Sequence, residues 1–338
     1  MSETTTVTPQ RRVTLAQVAE HAGVSLKTAS RALGGEPHVT DQTRQRVLSA
    51  ATALGYRRNT AASLLASGRV AEVVGLVTGD LTNPFYAALA QGLEDVIDPV
   101  GVQLNVASTR EDPEQEWRLV RDLADLRVHG LVIVSAMDDH SRYAELQARG
   151  IELIFVDRPA QGVSACSVIS DNLGGGRAAA THLLQHGHRR ISFVGDYSWL
   201  HTYRQRVDGM GQVLDPEAPQ WRELIRDGAH DSATARRHVL ELESSDQPPT
   251  AYVAGNNRVL LGILEALSTT REDRPMPAVL GFDDVEWGPA MQLSVVATDP
   301  YRMGRLAGEQ LVAGPSATEE PLVVPTSLIA RGSGERQS

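Results

Sequence analysis

The sequence predicts an α/β protein with a small all-helical head and a body of two Rossmann-like lobes. Three observations carry that expectation. From Val70 onward, β-branched apolar runs alternate with helix-length amphipathic stretches, the pattern of repeated βαβ units. The alternation restarts after Asp157, so two such units follow one another. Residues 14–55 lack these runs and read as three short helices. At ~150 residues per domain, the 338-residue length accommodates this plan.

Residues 1–11 are polar and Thr-rich and read as a disordered tail. Thr14 can N-cap a helix whose buried stripe is Leu15, Val18 and Ala19. Gly23 supplies the positive φ that a tight turn needs, Val24 plugs the turn, and Ser25 caps a second helix. In that helix Ala29 and Leu33 face inward, leaving Leu26, Lys27, Thr28, Ser30 and Arg31 outward. A third helix over 41–54, capped by Thr40 or Asp41, completes a core with Val47, Leu48 and Leu54. This is a helix-turn-helix pattern, whose second helix fits the major groove of B-DNA, although a generic helical hairpin has a similar outward face.

In the body, short runs such as "EVVGLVTGD", "VQLNVAST", "GLVIVSA" and "IELIFVD" suit strands buried on both faces. After Asp157 come "SACSVISD", "RISFVGD", "TAYVAGN" and "PAVLGFDD", separated by helical stretches at 173–186, 201–213, 231–243 and 257–268. Ligands of such sheets bind beyond the strand carboxyl ends, so two facing lobes enclose a cleft. The residues there are Asp80, Asp157, Arg158, Asp196, Asn256 and Asp283.

Composition narrows the function classes. Residues 1–68 carry eight basic against four acidic side chains, while the other 270 carry 24 against 38. A basic head on an acidic body suits a polyanion at the head, although so small an excess also arises by chance. The single cysteine, Cys166, excludes an internal disulfide and a cysteine-based zinc site. No apolar run reaches the ~18 residues of a membrane span and no signal peptide is evident, so a cytoplasmic protein with no membrane partner is expected.

Enzyme motifs are weak. "GGGRAA" at Gly174–Ala179 satisfies the dinucleotide pattern, but four residues separate it from the preceding apolar run. His182 and His186 lack the glutamate of a zinc-protease helix, and no nucleophile elbow or P-loop occurs. No catalytic residue, metal or cofactor is therefore expected.

Taken together, "VTLAQVAEHAGVSLKTASRAL", "HVTDQTRQRVLSAATALGYRRN" and "TAASLLASG", with body stretches such as "VGLVTGDLTNPFYAALAQGLED", "FVDRP" and "LGFDD", resemble the LacI/GalR family of bacterial transcription regulators. The resemblance spans about residues 12–331. It implies a helix-turn-helix head (1–58), a hinge helix (59–68) and a body (69–338) of periplasmic-binding-protein type. Lobe one would be 69–158 plus 290–314, and lobe two 159–289 plus 315–331, with three crossings. It also implies a homodimer or tetramer, double-stranded operator DNA and a small polar effector as partners, and repressor activity.

By matching motif, Leu26, Lys27 and Arg31 would touch bases, with Leu65 a minor-groove wedge. Thr14, Ser25, Thr28, Ser30, His38, Thr43 and Asn59 would meet the DNA backbone. Asp80, Asn83, Phe85, Asp157, Arg158, Arg204, Asn256 and Asp283 would hold the effector. Gly255-Asn256-Asn257 stands where the family usually has Ala-Asn-Asp, and Pro216 and Pro219 interrupt a helix that is usually longer. A sugar or sugar derivative fits best, with a nucleobase, amino acid or phosphorylated sugar left open. The competing classes are a solute-binding protein and an NAD-dependent enzyme.

Overall fold

The computed structural model describes residues 13–35, 37–56, 72–270, 275–314 and 320–337. The chain divides into two units, Met1–Ala71 and Glu72–Ser338. The hinge expectation, including Asn59 and Leu65, lies outside the described residues.

The head holds α1 (Leu15–His21), α2 (Leu26–Leu33) and α3 (Asp41–Ala53). Each start is fixed by a hydroxyl cap. Thr14 and Gln17 form a reciprocal capping box, the Ser25 side chain accepts from the Thr28 N–H, and the Thr40 side chain accepts from the Thr43 N–H. Such a cap contributes ~1 kcal/mol, a large share for helices this short. Gly23 takes φ +64°, and the Val24 N–H closes the turn on the Ala19 carbonyl at 3.0 Å. The core is Val18, Ala19, Ala22, Ala29, Ala32, Val47, Ala50 and Ala51, mostly residues small enough to let the helices approach closely. Leu48 is not part of it. It is 41% exposed, because the buried stripe of α3 runs through Val47, Ala50 and Ala51.

The first lobe is a six-stranded, all-parallel sheet. In chain order its strands are β1 (Val73–Thr78), β2 (Gln103–Ser108), β3 (Gly130–Ile133), β4 (Glu152–Val156), β5 (Cys166–Ser170) and, from far along the chain, β10 (Leu322–Val324). Their spatial order is β10-β5-β4-β3-β1-β2. Between the first five lie α4 (Pro84–Ile97), α5 (Pro113–Asp125) and the short α6 (Ala144–Ala148). The central strands are buried on both faces, which is why they read as unbroken apolar runs; the edge strand β2 has no fully buried residue.

The second lobe contains α7 (Asn172–Gln185), β6 (Ile191–Val194), α8 (His201–Glu217), α9 (Ser232–Glu243), β7 (Ala251–Ala254), α10 (Asn257–Thr270), β8 (Ala278–Phe282), β9 (Ser294–Ala297) and β11 (Ser327–Ile329). Its sheet order is β11-β9-β8-β7-β6, with only β11 antiparallel. Helix α11 (Pro300–Ala313) packs on α4 of the first lobe.

Among the described residues, the sheet pairings place the passages between lobes elsewhere than expected. β5 pairs with β4 and so belongs to lobe one, although lobe two was expected from residue 159. β9 pairs with β8 and belongs to lobe two, although 290–314 was expected in lobe one. β10 joins lobe one and only β11 joins lobe two, dividing the expected 315–331 segment. An apolar run announces a strand; it carries no mark of the sheet edge it will join. Pro216 sits inside α8, which ends one residue later at Glu217; its ring opposes the carbonyl four residues before it and it has no N–H to donate, so the helix stops there.

Candidate functional site

In the head, the turn at Gly23 and the cap at Ser25 present α2 with its alanines inward. Leu26 is 54% exposed, and Lys27 and Arg31 are exposed on the same short helix. An exposed leucine beside two cations suits a surface offering both methyl groups and acceptors. Thr14, Ser25 and His38 are exposed, whereas Thr28, Ser30 and Thr43 are half-buried. His38 has φ +75°, unusual outside glycine. Helix N-termini concentrate unpaired N–H groups and positive potential, so Ser25 and Thr28 stand where an anion is favoured.

In the body, the carboxyl ends of both sheets enclose a cleft that is partly open to solvent. Seven of the eight residues carried from the resemblance meet there: Asp80, Asn83, Phe85, Asp157, Arg158, Asn256 and Asp283. Asp157 and Asp283 follow β4 and β8 directly, and both take left-handed backbone conformations, φ +68° and +67°. Such a conformation in a non-glycine residue costs of order 1 kcal/mol or more and clusters at binding sites. Burial, opposed by Arg158 and Arg206 and reinforced by Asp283, pushes the Asp157 carboxyl up to about 6. The Asp283 carboxylate accepts from the Thr298 hydroxyl at 2.8 Å.

The cleft is braced by charge pairs. Arg158 makes a bidentate pair with Glu111, at 2.6 and 2.9 Å, with both side chains under 10% exposed. Arg158 also donates to the Ser135 carbonyl at 2.6 Å. Across the lobes, Arg258 donates to Asp80 at 2.8 Å and to Thr82 at 2.7 Å, and the Asn257 amide donates to Asn83 at 2.8 Å. His230 meets Asp196 at 3.1 Å, and that hydrogen bond raises its pKa above the usual imidazole value. Asn83 and Asn256 also cap the helices that follow them, so each serves the fold as well as the cleft.

Arg204 is the exception. It is exposed, and its guanidinium donates to the Trp199 carbonyl at 2.7 Å. On α8 the buried phase is Thr202, Tyr203 and Arg206, and it is Arg206 that lines the cleft. Arg206 donates to Asn172 at 2.8 Å and to the Gly255 carbonyl, and lies 4.4 Å over the Phe282 ring. Helical phase in "YRQRVDGM" was the available signal. Glu111, Tyr86, His230 and Arg258 were also missed, because nothing local links Glu111 to Arg158 or Arg258 to Asp80. Asp196 was visible as a strand end only.

The dinucleotide-like glycines have a packing role. Asp171 caps α7 through the Gly174 N–H at 2.8 Å, so the glycines lie within the helix rather than in an open turn. A Cβ at Gly176 would run into the backbone of Arg206, and one at Gly209 into that of Leu173. The glycines therefore let α7 and α8 cross closely and help seat Arg206. His182 and His188 fasten the C-terminal segment: His182 pairs with Glu335 at 2.6 Å, and His188 meets the Arg336 carbonyl at 2.6 Å. Among the described residues no cluster of His, Cys, Asp and Glu is arranged to hold a metal, and no helix is long and apolar enough to cross a membrane.

Comparison with known proteins gives two family matches. The lacI family of bacterial regulatory proteins matches residues 14–59, and the family of periplasmic binding proteins and sugar binding domains of the LacI family matches residues 71–285. The HTH-type transcriptional regulator DegA of Bacillus subtilis is 28% identical, over 95% of this chain and 98% of its own. A LacI-family regulator from Silicibacter pomeroyi superposes with TM-score 0.79 at 25% identity, covering 96% and 100% of the two chains. The transcriptional regulator CelR in complex with cellobiose superposes with TM-score 0.69 at 27% identity, again over 96% and 100%.

Proposed function

The chain belongs to the LacI family of bacterial regulatory proteins, and from that premise we propose that it is a homodimeric repressor whose head reads a pseudo-palindromic operator and whose cleft senses a sugar. The observation that carries the DNA half is the capped, exposed α2 with Leu26, Lys27 and Arg31 on its open face. Lys27 and Arg31 donate to guanine acceptors, and Leu26 packs on a thymine methyl. Thr14, Ser25, Thr28, Ser30, His38, Thr43 and Asn59 fix the register on phosphates, and Leu65 wedges into the minor groove at the central step. Two heads related by a two-fold axis match a two-fold operator. The site of action is the nucleoid, in the cytoplasm.

The cleft half rests on the seven converging residues together with Asp196 and Arg206. Carboxylates at Asp157, Asp196 and Asp283 accept from sugar hydroxyls, Arg206 donates, and Phe85 offers an apolar face. The relatives are regulators rather than enzymes, and the cleft residues bind and orient without a chemical step. Selection of bound sites from random double-stranded DNA, repeated with a sugar panel, tests both halves. A two-fold consensus whose recovery changes with one sugar is expected. Recovery of unrelated sequences at a flat salt response would defeat the reading, because phosphate neutralisation gives a slope of about −0.9 per contact in log affinity against log salt.

A further inference from the structure

Beside the cleft lies a second space of about 540 Å³, widely open to solvent, whose walls include Glu111, Met137, Asp138, Asp139, Arg142 and Trp199. Glu111 lines both spaces, so the two adjoin at that side chain. The chamber draws on the segments after β2 and β3 of the first lobe and on the segment after β6 of the second. It therefore spans the lobes as the inner cleft does.

Its aromatic wall is built rather than incidental. Trp199 stacks on Tyr197 (6.0 Å between centroids, planes 11° apart), and Tyr197 stacks on His230 (5.3 Å, 12°). His230 lines the inner cleft and Trp199 the outer chamber, so one stack of rings runs from one to the other. The Trp199 backbone is tied by Arg204 through its carbonyl. Opposite, Arg142 lies 4.2 Å from the centroid of Trp117, which fixes that guanidinium at the rim.

The charge pattern limits what enters. Asp80, Glu111, Asp157, Asp196 and Asp283 line the inner cleft against Arg158, Arg206 and Arg258, and each of those guanidiniums already has a partner. The outer chamber adds Asp138 and Asp139 against Arg142. A phosphate group would meet surplus negative charge, whereas hydroxyls donate to carboxylates at no such cost. Aromatic faces suit the C–H side of a sugar ring.

We infer that cleft and chamber form one binding site for an uncharged saccharide of at least two rings, with one ring between Asp157 and Asp283 and the next against Trp199. This rests on the reading that the body takes a sugar. Calorimetric titration of the full-length protein with glucose, galactose, xylose, their disaccharides and glucose 6-phosphate tests it. One disaccharide should bind roughly tenfold or more tighter than its constituent monosaccharide. Trp199→Ala should erase that margin, weakening the disaccharide roughly tenfold more than the monosaccharide. Trp199→Phe should keep the margin while losing the ligand-induced change in tryptophan fluorescence. Equal affinity for one and two rings, equal weakening of both by Trp199→Ala, or preference for the sugar phosphate would overturn the inference and leave the sugar reading standing. If no saccharide of either size binds, the sugar reading falls and this inference with it.

Discussion

The head and the cleft are made in opposite ways. In the head, every feature that presents α2 comes from residues within a few positions of one another: the Thr14–Gln17 box, the Gly23 turn and the Ser25 cap. In the cleft, almost every feature is a pairing across long stretches of chain, such as Glu111 with Arg158 or Asp80 with Arg258. A local device holds a reading surface in a fixed shape. A long-range device such as Asp80 with Arg258 ties two lobes to one another, and that is the difference between the two regions.

The comparison breaks most visibly at the buried pair. Glu111→Ala leaves the Arg158 guanidinium desolvated without its carboxylate, which costs about 3–5 kcal/mol. Thermal unfolding should show the body transition lowered by many degrees and the head transition unmoved. A shift of both together would mean that the two units are one cooperative block.

A smaller effect is expected at the reading surface. Lys27→Ala and Arg31→Ala should each cost ~1–3 kcal/mol at the selected operator and relax preference at one base pair per half-site, with body stability unchanged. Binding to operators mutated one base pair at a time measures this. A uniform loss across all operators would recast these residues as phosphate contacts.

The same contrast explains what the sequence made legible. Caps and glycine turns act over three or four residues, so the head was readable almost whole. Its error, Leu48, came from counting a large apolar residue as core where alanines fill the space. In the body, strands and strand ends were readable, and with them Asp157 and Asp283. Lobe membership of β5, β9 and β10 was not, because sheet pairing is settled by partners far away in the chain. Arg204 and Arg206 lie two positions apart on one helix, and only the phase of its buried face separates them.

A subtler test uses pH. The Asp157 carboxyl is pushed up to about 6, against ~3.9 for the free side chain. The folded body thus holds this proton more tightly than the unfolded chain does. At this group stability is greatest below the unfolded value and is lost as pH rises through about 6. Ligand binding runs the other way, since the ionised carboxylate accepts sugar hydroxyls. Affinity should fall severalfold as pH drops from 7 to 5, and Asp157→Asn should flatten that part of the profile. Because His230 also titrates in the cleft, a profile unchanged by Asp157→Asn would assign the dependence to the His230–Asp196 pair instead.

The most direct test of the central claim, that the head reads DNA and the cleft reads sugar as separable devices, is one set of operator-binding titrations. Fluorescence anisotropy on the selected operator would compare wild type, Lys27→Ala and Asp283→Ala, each with and without the responding sugar. Lys27→Ala should lose operator affinity while keeping its sugar affinity, and Asp283→Ala should bind the operator as wild type does but no longer respond to the sugar. If Asp283→Ala responds at the wild-type sugar concentration, or Lys27→Ala binds the operator undiminished, the assignment of reader and sensor is wrong.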